Sequence, residues 1–195
     1  MIRLAQDVYT GSTRKALLDN TLTVHVGDVI IPLAGTAAVV TNATAAVASV
    51  AVFPLGLVTG FIGPQDQVIG QGLASVGTTT PSSITTASNN TSAAYTGLVS
   101  GGQIYAQYIP ITEDMEFLFD MQNAAGTTQA YSGLAFTWYN LLNAGQVDEA
   151  SVQLYGVGQT TPLQVFCLGV YTESPATAAA TVIVGRFAKA AMYNP

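Results

Sequence analysis

The sequence predicts an all-β protein, barrel or sandwich-like, made of two small β-lobes with a long polar loop between them. Three observations carry this. The apolar stretches are short, rich in Val, Ile and Thr, and bounded by Gly, Pro or Asn, which is strand chemistry. They recur at intervals of roughly eight to fifteen residues, with turn residues between them. Helical periodicity is nearly absent: Leu141–Gly145 offers one turn and the Ala-rich residues 176–181 a short second. No internal repeat shows at a fixed period.

Residues 1–20 read as an N-terminal arm, separable from the fold, because a clean strand pattern begins only at Thr21. Residues 21–74 form the first lobe. Leu22, Val24 and Val26 alternate against Thr21, Thr23 and His25, the mark of a half-buried strand. Gly27 and Asp28 then make a turn into Val29–Ile31. Val47–Phe53 and Leu55–Ile62 supply two further strands.

Residues 75–102 are small, polar and uncharged apart from scattered apolar positions. They read as a loop or linker that becomes ordered against a partner. Residues 103–195 form the second lobe, with strands over Gln103–Ile109, Met115–Met121, Leu134–Tyr139, Ser151–Tyr155, Leu163–Tyr171 and Thr181–Phe187. Met115, Phe117, Phe119 and Met121 alternate there with Glu116 and Asp120.

Charge separates the functional classes. The chain of 195 residues is 49% hydrophobic but only 8% charged, against roughly 25% for an ordinary soluble domain. Disorder is excluded by that hydrophobicity. Five basic residues stand against eleven acidic ones, net −6, so no nucleic-acid partner is expected. Arg3, Arg14, Lys15, Arg186 and Lys189 are all the basic residues, leaving none from position 16 to 185. So sparse a charge also weakens surface solvation and favours association into an oligomer or a shell.

No membrane partner is expected either. Residues 29–65 carry no charge, yet Pro32, Gly35, Asn42, Pro54 and Gly56 interrupt them, which suits buried strands better than a span. The first residues lack the apolar core of a signal peptide. The sequons at Asn42, Asn89 and Asn90 therefore carry no weight.

Catalytic constellations fail on residue supply. His25 is the one histidine and Cys167 the one cysteine. A serine triad has only His25 as base, and no Gly-x-Ser-x-Gly elbow exists. Metal ligation by nitrogen or sulfur needs more than these two. Glu113, Asp114 and Glu116, and the pair Asp148 and Glu149, lack calcium-loop spacing. Gly70 and Gly72 begin a dinucleotide fingerprint that has no third glycine. No enzyme activity and no cofactor are expected. The nine tyrosines and Trp138 serve packing and interfaces, with a sugar-stacking platform as the alternative.

The second half resembles the head-decoration, or auxiliary capsid, proteins of tailed bacteriophages. The likeness rests on Tyr105–Pro110 followed by Asp114–Gln122, the turn at Ser132–Leu134, Val147–Tyr155, Thr160 and Thr161, Leu163–Tyr171 and Ala180–Arg186. It covers residues 103–190; the first lobe fits only through Val26–Asp28 and its Ala/Thr/Gly bias. The chain departs from the pattern in its long polar loop and its base-free middle. The resemblance implies a non-enzymatic cement protein on the outer capsid surface, a homotrimer bound to the major capsid protein. The arm residues Arg3, Leu4, Arg14 and Lys15 are the expected capsid contacts, the basic ones pairing with shell carboxylates. The alternatives are another virion module (tail-tube, head-fibre or head-completion subunit) and a carbohydrate-binding β-sandwich adhesin.

Overall fold

The computed structural model describes residues 2–4, 12–33, 39–43, 54–63, 66–71, 83–92, 102–112, 114–122, 136–143, 146–148, 153–154, 164–171 and 182–187. All regular structure among them is strand, so the chain is all-β. It forms two compact units that interleave along the sequence. Unit 1 takes Met1–Thr10, Ala43–Pro54 and Ile111–Pro195; unit 2 takes Gly11–Asn42 and Leu55–Pro110.

In unit 2 the strands are β2 (Arg14–Leu18), β3 (Thr23–His25), β4 (Val29–Pro32), β5 (Val39–Asn42), β6 (Gly56–Ile62), β7 (Val68–Gln71), β8 (Ser83–Thr85) and β9 (Tyr105–Pro110). The six-stranded sheet runs β4-β5-β2-β9-β6-β7, and β4 also pairs with β6. That pairing closes β4, β5, β2, β9 and β6 into a ring, which removes open edges. Only β2 and β5 run parallel in it. Inside lie Leu18, Ile30, Val40, Val58, Phe61, Ala106 and Tyr108, joined by Val24 and Val26. Burying each large apolar side chain contributes about 1.5–3 kcal/mol.

In unit 1 the strands are β1 (Ile2–Leu4), β10 (Phe117–Gln122), β11 (Thr137–Asn143), β12 (Gln146–Asp148), β13 (Gln153–Leu154), β14 (Gln164–Val170) and β15 (Val182–Phe187). Their order is β1-β10-β12-β11-β14-β15, with β10 also paired to β15 and β13 to β11. This closes a second ring. Phe117, Phe119 and Phe187 meet in it, with edge-on contacts at 5.5 and 5.3 Å, each worth about 0.5–1.5 kcal/mol beyond burial.

Several expectations change. The arm at residues 1–20 is not a separate segment: Ile2–Leu4 pair with β10 in unit 1, and Arg14–Leu18 lie inside the unit 2 ring. Both stretches alternate too briefly to stand out in sequence. Within the polar segment at 75–102, residues 83–85 form β8 against β3, and Thr86 and Asn90 are buried. The lobe boundaries drawn at 20, 74 and 102 do not coincide with the units, because β9 completes unit 2. Leu141–Asn143 continue strand β11 rather than turning as helix. The strand expected at Val47–Phe53 lies outside the described residues.

Candidate functional site

His25 ends β3 and enters a tight turn. Gly27 adopts φ 90°, a conformation costly for any residue with a Cβ. The Asp28 N–H donates to the His25 carbonyl at 3.1 Å. The Asp28 carboxylate accepts the His25 N–H at 2.8 Å and lies 3.4 Å from the imidazole Nδ1. Burial raises the Asp28 pKa, against the opposing pull of the His25 backbone N–H and ring. The turn is tied down further by Gly27 N–H to the Val58 carbonyl at 2.8 Å and Val58 N–H to the Asp28 carbonyl at 2.9 Å. His25 and Asp28 thus hold β3 to the ring, a structural assignment.

Cys167 is buried on β14, and its thiol donates weakly to the Gly169 carbonyl at 3.6 Å. Burial pushes the thiol up to about 11, so thiolate is scarce at neutral pH. Among the described residues no three His, Cys, Asp or Glu side chains gather as a metal site. No described helix is long and apolar enough to cross a membrane.

The four expected contact residues fall in two units. Arg3 and Leu4 sit opposite Leu118 and Phe117 on β1. Arg14 and Lys15 are exposed at the start of β2, opposite Tyr108 and Gln107. The Lys15 ammonium reaches Asp66 at 2.5 Å and lies 5.3 Å from the centre of the Tyr105 ring. Both ion-pair partners are half or more exposed, so the pair is worth about 0–1 kcal/mol.

Unit 1 carries a second surface that the sequence did not single out. Trp138, Phe166 and Arg186 are direct register partners across β11, β14 and β15. Trp138 and Phe166 pack at 4.9 Å. Phe136 stands 6.5 Å from Phe166, is 65% exposed, and holds φ 59° while its N–H donates to the Cys167 carbonyl at 2.8 Å. A left-handed phenylalanine is a strained conformation kept by its surroundings. Arg186 completes the row, donating to Glu116 at 2.6 Å. The sequence marks Trp138 for packing, with a sugar-stacking platform as the alternative, but does not bring it together with Phe166 and Arg186, since cross-strand register is not visible in one strand's alternation.

Comparison with protein-family models, with curated proteins and with solved structures finds no match to this chain.

Proposed function

We propose that this is a structural virion protein, a decoration or cement subunit that binds the outer surface of a phage capsid through the major capsid protein and assembles as a homotrimer. The observation that supports this best is the exposed pair Arg14 and Lys15 on a chain whose formal charge is −6. With Lys15 paired to Asp66, Arg14 leaves a local basic excess, and such an excess on an acidic protein steers it onto a complementary acidic surface. Arg3 and Leu4 are proposed as the contacts from unit 1. The reactive groups meanwhile serve the fold: His25 and Asp28 close a turn and Cys167 fills a core. Repetition over a symmetric shell turns weak pairs into avidity. The test is copy number and location in purified particles, by quantitative mass spectrometry and immunogold labelling. Hundreds of copies on the head exterior are expected. Absence from the head, or a few copies on the tail, overturns the reading.

One observation favours a second reading. Phe136, Phe166 and Trp138 beside the Arg186–Glu116 pair offer an apolar platform with polar groups at its end, the combination a sugar ring stacks on. Glycan-array binding that Phe136→Ala abolishes would establish an adhesin in place of a cement protein.

A further inference from the structure

We infer that the chain carries one five-stranded barrel twice, descended by duplication from a single-barrel module, although its sequence shows no repeat. The inference holds whether or not the protein decorates a shell.

The ring strands of unit 2, in chain order, are β2, β4, β5, β6 and β9; those of unit 1 are β10, β11, β12, β14 and β15. In both rings the first strand pairs with the third, the third with the second, the second with the fourth, the fourth with the fifth, and the fifth with the first. In both, the first–third pair is parallel and the other four are antiparallel.

The registers agree as well. The fourth strand bulges against the fifth in each ring, between Val58 and Gly60 and between Cys167 and Gly169. Setting Val58 on Cys167 sets their partners Tyr108 on Gly185. Those face Arg14 and Phe117 on the first strands. Four residues on, Leu18 and Met121 face Val40 and Val147 on the third strands, which face Pro32 and Leu141 on the second. Two residues back, Ile30 and Tyr139 face Gly56 and Val165 on the fourth. Gly56 stands two residues before Val58 and Val165 two before Cys167, so the circuit closes without a slip. A one-residue slip at any step would have turned every later side chain to the other face.

Five interior pairs match in burial: Leu18 and Met121, Ile30 and Tyr139, Val40 and Val147, Val58 and Cys167, Ala106 and Ile183 are all buried, whereas Arg14 and Pro32 are exposed where Phe117 and Leu141 are buried. One interior site also shows a reciprocal exchange of volume. A Cβ on Gly56 would strike the Tyr108 ring and lie 2.9 Å from the Ile109 carbonyl oxygen. At the equivalent positions stand Val165 and Gly185, and a Cβ on Gly185 would lie 2.8 Å from Val165 Cγ1 and 2.8 Å from the Phe166 carbonyl oxygen. Each barrel has room for one bulky side chain there. Unit 2 supplies it from the fifth strand and unit 1 from the fourth.

The outer faces have diverged. The row Val29, Leu57 and Ile109 is apolar and buried, while its counterpart is Trp138, Phe166 and Arg186. Sequence periodicity is erased by unequal connections: residues 63–104 separate the fourth and fifth strands in unit 2, and residues 171–181 in unit 1.

The exchange of volume gives the test. In the full-length protein Gly56→Val alone should lower the melting temperature strongly. Adding Tyr108→Gly recreates the Val165/Gly185 arrangement and should recover at least half of that loss. An experimental structure of the double variant should show both rings superposing in the register given above. A double variant no more stable than Gly56→Val, or a ring with a different strand order, overturns the inference.

Discussion

Asn90 shows how much one buried polar side chain can hold. Its Nδ2 donates to the carbonyls of Leu18 at 2.6 Å and Ile104 at 3.2 Å, and its Oδ1 accepts the Ile104 N–H at 2.9 Å. It thus joins the end of β2 to the approach to β9. Asn90→Ala leaves backbone groups without partners, each costing about 1–3 kcal/mol. A loss of that size in urea unfolding is expected, whereas a change within error would mean the clamp is dispensable. Asp28 gives a pH prediction. Its folded pKa is raised above the ordinary 3.8 by burial, so folding favours the protonated form. Its contribution is fully present below the unfolded pKa and is lost as pH climbs through the higher folded one. Asp28→Asn keeps an oxygen for the His25 N–H. The variant should therefore gain on the wild type as pH rises above about 4, read by thermal melting across a pH series. Cys167, with its pKa near 11, should resist a thiol reagent at pH 8 when native and react fully in guanidinium. Fast native labelling would show that β14 opens.

At the scale of elements, the first twenty residues matter most. Deleting residues 2–18 removes β1 and with it the cover on β10. It also removes β2, the strand between β5 and β9 in the unit 2 ring. The expected outcome is a protein that is insoluble or quickly proteolysed, because a ring without one strand exposes two edges. A folded deletion product, by circular dichroism and resistance to trypsin, would contradict that. Charge reversal at Arg14 and Lys15 is then the cleaner probe of shell binding, since both residues are exposed. Most of the longer strands were legible beforehand: β6, β14 and β15 fall within the stretches expected and β9 and β10 overrun theirs by one residue, whereas β11 overlaps its stretch only over Thr137–Tyr139 and β2 lay in the expected arm. Strands β1, β5, β7, β8 and β12, of three or four residues, were not. A short strand has too few positions to display a period, and its pairing partner supplies the missing specification.

At the scale of the whole molecule, the low charge and the exposed Val68, Ile69 and Phe136 point to association. Light scattering should give the mass of three chains; a monodisperse monomer that also sits singly on the shell would remove the trimer from the proposal. What the sequence determined by itself was the class: β-branched runs cut by turn residues commit the backbone to strands, and one histidine with one cysteine limits the chemistry. The tertiary structure alone decided which strands share a barrel. Residues 2–4 join a strand more than a hundred positions away, and β9 closes unit 2 by pairing with β2 and β6, both distant in the chain. Alternation reports which side of a strand faces inward but carries no label for the neighbouring strand. That choice depends on ring closure and on side-chain volume at sites such as Gly56 with Tyr108, and those are properties of residues brought together only by folding.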